Sequence, residues 1–238
     1  MDLLQQYLEG DTLRVYEEIE RMGSAAFERG KFREVRAVLT ETMNRVAHNL
    51  DVIYRALIDE RYCFKENPRH DFEIPLLAPK WGTQFYIYRL EAVVRKFGYV
   101  PLSLKAFYKV VGSCNLAWDY DTNDMIPWEG ADPLQICPIT DLLSEAKQME
   151  LDDDPMGLQV SADFYHKDNI SGGPPYSVEL SATPQVDSRF LDEEHETTFI
   201  GYLRIAFDGC GFSRPFAVND QPDFVRYCKR VRPLLKPI

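Results

Sequence analysis

The stretch GYVPLSLKAFYKVVGSCNLAWDYD, residues Gly98–Asp121, changes from one hydrophobic spacing to another within a short distance. Pro101 keeps the preceding backbone extended, and Gly112 is typical of a helix end. Between them the apolar side chains recur at three- and four-residue steps, which predicts a short helix: Leu104, Phe107, Tyr108 and Val111. Asn115 to Tyr120 then has the composition of a strand. A helix followed directly by a strand indicates a fold that mixes both elements.

Residues 1–80 are predicted to be helical. From Arg33 to Glu60 the apolar side chains share one helical face, and they are Val35, Val38, Leu39, Val46, Leu50, Ile53, Tyr54 and Leu57. Asp11 is placed to cap the amino terminus of another helix, which begins just after it and precedes the long one. Three prolines between Glu66 and Gly82 make a continuous helix there unfavourable, which predicts a linker. The sequence therefore predicts a helical hairpin extension over 1–80, followed by a second domain over 84–238.

The second domain is predicted to contain helices and short strands that do not alternate as βαβ units. Helices are expected over Phe85–Phe97, Thr140–Met149, Glu196–Phe207 and Asp223–Val231. Strands are expected over Leu134–Ile136, Leu158–Ala162 and Tyr176–Leu180, the last two joined by a hairpin connection. This order favours an α+β fold in which helices pack on a mainly antiparallel sheet.

The charge of the chain restricts its partners. The formal net charge is -11 at pH 7, so the average field repels nucleic acid and anionic lipid and attracts basic proteins. The five cysteines are odd in number and form no CxxC pair, which is typical of a reducing compartment. The sequence contains no run of about 18 uncharged apolar residues, so it predicts no membrane-spanning helix. We expect a cytoplasmic protein that binds neither nucleic acid nor membrane.

Patterns that carry catalysis or bind metals are missing from the sequence. No two of the four histidines have the i, i+4 spacing of a helical metal site, and the segment SGGPP lacks the lysine of a phosphate-binding loop. Cys210, between Gly209 and Gly211, is the least implausible nucleophile, but it follows a predicted helix end, where the dipole disfavours a thiolate. We predict no catalytic residue, metal or cofactor. An enzyme whose residues converge only in the fold stays an alternative.

Aromatic and acidic residues are concentrated between Trp118 and Glu129, where the sequence reads WDYDTNDMIPWE. Tyrosine and tryptophan are enriched at protein interfaces, although both tryptophans are more typical of a core beside a sheet edge. A second acidic cluster, DEEHE, begins at Asp192. The predicted partner-binding residues are Trp118, Asp119, Tyr120, Asp121, Asp124, Trp128, Glu129, Asp192, Glu193 and Glu194.

Packing and turn positions spread over residues 84 to 216 form a pattern, which consists of Leu90–Gly98, the Val100-Pro101 step, Val111-Gly112, Asp132-Pro133-Leu134, Tyr176–Leu180 and Tyr202–Phe212. With these positions the segment resembles the SUKH superfamily, which includes many immunity proteins of toxin systems. The resemblance implies an α+β protein-binding scaffold without catalytic residues, and a partner such as a basic toxin domain that is neutralised by occlusion. A structural homodimer formed through the apolar stripe of the amino-terminal helices is a further alternative.

Overall fold

The computed structural model describes residues 2–65, 70–120, 127–149 and 157–238. Within these ranges the α-helices are α1 (Leu3–Leu8), α2 (Thr12–Met22), α3 (Arg29–Asp59), α4 (Thr83–Val94), α5 (Leu102–Val110), α6 (Ile139–Ala146), α7 (Phe164–Lys167), α8 (Phe199–Asp208) and α9 (Pro222–Val231). The strands are β1 (Leu76–Leu77), β2 (Ser113–Asn115), β3 (Gln135–Ile136), β4 (Gly157–Ser161), β5 (Tyr176–Glu179) and β6 (Phe190–Leu191). Short 3-10 segments occupy Gly23–Phe27, Asp71–Glu73, Pro215–Val218 and Arg232–Leu234.

The strands form two small antiparallel sheets, ordered β1-β2-β3 and β4-β5-β6. In the first sheet Cys114 pairs with both Leu76 and Ile136, and in the second Val178 pairs with Leu158 and Phe190. The Cys137 amide donates to the Val160 carbonyl oxygen at 2.7 Å, and the Ala162 amide donates to Gln135 Oε1 at 2.9 Å. These hydrogen bonds connect the end of β3 to the end of β4 and so join the two sheets. The predicted α+β class with antiparallel strands is confirmed, with the strands divided between two sheets.

Helices α4, α5, α6, α8 and α9 lie close to their predicted positions because each has a long apolar face. The strand expected from Asn115 begins earlier, at Ser113, and ends at Asn115. Beyond it Trp118 forms only an isolated bridge with Phe64. The connection between β4 and β5, predicted to be a hairpin loop, contains α7, and Asp163 caps this helix by accepting from the Tyr165 and His166 amides. A single turn of helix is too short to have a detectable period.

Helix α3 buries the apolar stripe that the sequence predicts for it. Val35, Val46, Ile53 and Leu57 are inaccessible to solvent, and the helix contacts α1, α5 and α9. The amino-terminal helices and the later segments therefore contribute to one hydrophobic core. The chain itself covers most of the stripe, with Tyr54 half-buried, and the homodimer through these helices stays a prediction.

Across the described ranges no helix is long and apolar enough to cross a membrane.

Candidate functional site

A buried network of charged and hydroxyl side chains surrounds Asp132, and all its members come from the second half of the sequence. The Lys167 ammonium donates to Asp132 Oδ1 at 2.6 Å, and the Tyr176 hydroxyl donates to Oδ2 at 3.1 Å. The Ser213 hydroxyl also donates to Oδ2, and its amide donates to the Asp132 carbonyl oxygen. The side chains of Asp132 and Lys167 are 1% and 0% exposed. One carboxylate thus connects α7, β5 and the turn after α8.

Asp132 adopts the left-handed conformation, with φ of 57°. Asparagine and aspartate tolerate this region better than other residues with a side chain. The conformation turns the chain between the Trp128–Gly130 segment and β3 so that the carboxylate points inward to Lys167. The loop that carries Glu129 is therefore held from its carboxyl end.

Asp168, next to Lys167, holds the same loop from another side. Its carboxylate accepts from the Gly130 amide at 2.7 Å and from the Tyr120 hydroxyl at 3.0 Å. Burial is the main cause that raises the pKa of Asp168, with smaller contributions from the charges of Glu129 and Asp132. The pKa of Tyr120 is raised as well, first by burial and then by the Asp168 charge. The hydrogen bonds thus fix Glu129 and Gly130 beside α7.

Arg214 connects the second acidic cluster to this region. Its Nε lies 3.2 Å from Glu194 Oε1, an ion pair that lacks hydrogen-bond geometry. The guanidinium carbon lies 3.8 Å from the ring centre of Phe164 and 5.4 Å from that of Phe216. A cation over aromatic faces is attracted by the ring quadrupole. Arg214 therefore holds Glu194, α7 and the segment after α8 together.

Exposed aromatic and apolar side chains lie among these acids. Tyr165, Ile170 and Phe216 are each at least 43% exposed. The Ile170 amide donates to the Tyr165 carbonyl oxygen, and Gly130 lies against Ala217, next to Phe216. We call this surface the aromatic–acidic face, and it consists of Glu129, Tyr165, Ile170, Glu194 and Phe216. It combines apolar side chains with charged ones around them.

The predicted partner-binding residues differ in how far their side chains are exposed to solvent. Glu129, Asp192 and Glu194 are exposed, and Asp119 and Tyr120 are partly exposed. Of these acids, Glu194 contacts Arg214, and Glu129 lies close enough to Asp168 for its charge to raise the pKa of that carboxyl. Asp121 and Asp124 lie outside the described residues.

The structure corrects the prediction for the two tryptophans. Trp118 and Trp128 are only 8% and 5% exposed, so their rings are not available to a partner in this conformation. Each packs edge-on or tilted against Tyr62, with ring centres 5.0 and 6.0 Å apart. Trp128 also packs on Phe212, Phe224 and Tyr227. The aromatic concentration in the sequence thus builds a core cluster.

Glu193 also departs from its predicted position at the surface. It is 5% exposed, and its carboxylate accepts from the His195 amide at 2.9 Å and contacts the His195 ring. Burial with local hydrogen bonds is how a carboxylate within a tight turn is satisfied. Glu193 therefore shapes the acidic loop, and its neighbours Asp192 and Glu194 present the charge.

Cys210 is fully buried at the end of α8. Its thiol donates to the Cys228 carbonyl oxygen at 3.7 Å. The hydrogen bond with the Cys228 side chain, followed by burial, raises the pKa of Cys210 well above its ordinary value. A protonated thiol without access to solvent is a poor nucleophile. The Asp132 network is equally enclosed, since Asp132, Lys167, Tyr176 and Ser213 are each at most 3% exposed.

Sequence reasoning missed a second exposed aromatic surface, at α4. Trp81 is 100% exposed, and Phe85 and Tyr88 are 59% and 67% exposed. We call these three residues the α4 stripe. The three-residue spacing of Phe85 and Tyr88 is a detectable signal, because it places them on a second apolar face of α4 opposite the buried Ile87, Leu90 and Val94. Trp81 precedes the helix, just before its N-cap Gly82. Only the buried face was predicted.

Groups of three or more potential metal ligands do not occur in the part of the chain that the structure describes. In comparisons with known proteins, the chain matches no family model, no curated protein and no solved structure. The resemblance to the SUKH superfamily stays a prediction.

Proposed function

We propose that the chain is a non-enzymatic protein-binding module that contacts a basic partner through the aromatic–acidic face. The observation that carries this proposal is the exposure of Tyr165 and Phe216 beside the acids Glu129 and Glu194. Protein interfaces typically have such a composition, with aromatic side chains at the centre and charged ones at the rim.

The charge of the chain supports a basic partner. With a formal net charge of -11, the protein attracts cationic proteins over a distance of about 8 to 10 Å at physiological ionic strength. Complementary charge mainly raises the association rate, and the aromatic side chains then supply buried apolar area. The two parts of the face therefore serve different stages of binding.

The interior below the face supports a rigid binding surface. The Asp132 and Asp168 hydrogen bonds hold the Glu129 loop, α7 and the Ser213 turn in one arrangement. A surface that is ordered before binding loses less conformational entropy when a partner binds. The resemblance to immunity proteins gives this proposal its finer form, in which the partner is a toxin domain whose basic substrate cleft is occluded.

The test uses a partner captured from the native cell and then purified. Its association rate with the wild type is measured against salt concentration, together with Glu129→Lys and Phe216→Ala variants. We expect Glu129→Lys to slow association at low salt and to flatten the salt dependence. Phe216→Ala should instead accelerate dissociation, because it removes apolar contact area.

Glu145→Lys is the matched control, since it makes the same charge change at an exposed position of α6. If Glu145→Lys slows association as much as Glu129→Lys, the effect comes from net charge and the face is wrongly assigned. A second control is the Trp81→Ala/Tyr88→Ala variant. If binding depends on these aromatics and is unaffected at Phe216, the partner binds the α4 stripe instead.

A further inference from the structure

A cleft of about 370 Å³ lies between α3, α4 and α5, away from the aromatic–acidic face. Each helix lines it with residues three or four apart, because that spacing places side chains on one helical face. The polar groups come from Arg36 on α3, Glu91 on α4, and Lys105 and Lys109 on α5. Ile87 and Ala106 are among the apolar residues of the floor.

The cleft is basic although the whole chain is strongly acidic. Glu91 is its single acidic lining residue in the described chain, and this carboxylate pairs with Lys105 at 2.7 Å. The Arg36 guanidinium lies over the ring of Phe32, one turn earlier on α3. Within the described ranges neither Arg36 nor Lys109 forms an ion pair with a carboxylate. Partial burial, followed by the charges of Arg36 and Lys105, lowers the pKa of Lys109.

Like charges gathered in a concave site repel one another, and an anion that binds between them relieves this repulsion. Three cations around one space favour a group with more than one negative charge. A phosphate monoester carries about -1.5 to -2 at neutral pH and has three acceptor oxygens. Arginine and lysine are the side chains that bind phosphate most often, the first through its planar fork and the second as a point charge.

We propose that this cleft binds a small organic phosphate, with the phosphate between Arg36, Lys105 and Lys109. The organic part of the ligand lies on the apolar floor beside Ile87 and Ala106. The cleft volume falls within the roughly 300 to 1,000 Å³ that is usual for small-molecule sites. This site is independent of the proposed partner surface, since the two share no residue.

The first measurement is calorimetric titration of the full chain with phenyl phosphate and with inorganic phosphate. We expect saturable binding of both, with phenyl phosphate the tighter ligand because its ring covers the floor. Sodium chloride at matched ionic strength serves as the reference. If the heat and any thermal stabilisation follow ionic strength alone, the cations form only a diffuse positive surface and the proposal fails.

Variants then locate the site. Lys109→Glu should raise the dissociation constant for phenyl phosphate by about tenfold or more, the size of one charge-assisted contact. Lys229→Glu is the matched control, because both lysines are exposed and lie in the last turn of a helix. Equal weakening by both variants would overturn the assignment. Glu91→Gln should tighten binding, since it frees Lys105 from its carboxylate, and weaker binding in this variant would also count against the proposal.

Phosphate is also present in lipid headgroups, and cosedimentation with vesicles separates the two sources. We expect the wild type to remain in the supernatant with phosphatidylcholine vesicles, with or without phosphatidic acid. Cosedimentation that requires phosphatidic acid and is lost in Lys109→Glu would show that the cleft takes a membrane headgroup, which overturns a soluble ligand.

Discussion

Asp132 and Lys167 form an ion pair that is shielded from solvent, and this makes either residue costly to remove alone. Lys167→Met leaves the Asp132 carboxylate buried with hydroxyl donors but no cation. Breaking a buried pair in this way typically costs about 3 to 5 kcal/mol. We expect a loss of that size in the free energy of unfolding, measured by urea denaturation.

Two further variants test whether burial is the cause of that loss. Arg55→Met removes an ion pair in which the side chains are 75% and 49% exposed, and such pairs contribute about 0 to 1 kcal/mol. The double variant Asp132→Asn/Lys167→Met should be more stable than Lys167→Met alone, because no uncompensated charge is left inside. A double variant no more stable than the single one would contradict this explanation.

Asp168 should give the stability of the protein a measurable pH dependence. Burial raises the pKa of Asp168 above 3.8, so in acid the folded state binds more protons at this site than the unfolded state. The contribution of Asp168 to the free energy of unfolding is therefore greatest at and below the pKa that the residue has in the unfolded chain. This contribution decreases as the pH rises through the higher pKa of the folded state. Compared with Asp168→Asn, the wild type should lose more unfolding free energy as the pH rises from about 4.

Denaturation of the wild type and of Asp168→Asn at a series of pH values from about 4 upward measures this difference in unfolding free energy. Asp192→Asn provides the comparison, since it makes the same chemical change at an exposed carboxylate. Parallel pH profiles for wild type and Asp168→Asn would show that Asp168 is not desolvated as described.

At the scale of single elements, two glycines test how closely segments approach one another. Gly112 follows α5 with φ of 98°, and a Cβ atom there would lie 2.1 Å from the Leu77 carbonyl oxygen. Gly30 lies in α3 and has open space around it. We expect Gly112→Ala to destabilise the fold and Gly30→Ala to stabilise it by about 0.5 to 1 kcal/mol. Thermal denaturation shows whether each variant is less or more stable than the wild type. A Gly112→Ala protein as stable as the wild type would contradict the close approach of Gly112 to β1.

The elements that sequence reasoning predicted well are those with a sustained period. The long stripe of α3 and the shorter ones of α5 and α8 repeat over several turns, so their helices could be predicted. Strands β1, β3 and β6 have two residues each, which is too short for an alternating pattern, and α7 has four. Their positions depend on pairing with distant segments, which local sequence does not encode.

The candidate site was only partly predictable for the same reason. The exposed acids Glu129, Asp192 and Glu194 were identified from composition, because charged residues are rarely buried. Composition could not separate Trp118 from Trp81, since a tryptophan packs in a core or at an interface equally well. The role of Asp132 depends on Lys167, Tyr176 and Ser213, which only the fold brings together.

At the scale of the whole molecule, the core that α3 shares with α5 and α9 makes the amino-terminal segment necessary for folding. Removal of residues 1–80 would expose the partners of Val35, Leu39, Met43 and Leu50, which are at most 2% exposed. Full burial of each such side chain contributes about 1.5 to 3 kcal/mol, and total stabilities are only about 5 to 15 kcal/mol. We therefore expect the fragment 84–238 to lack cooperative unfolding, and coexpression with 1–80 to restore it. A fragment that unfolds cooperatively by itself would show instead that the amino-terminal helices form a separable domain.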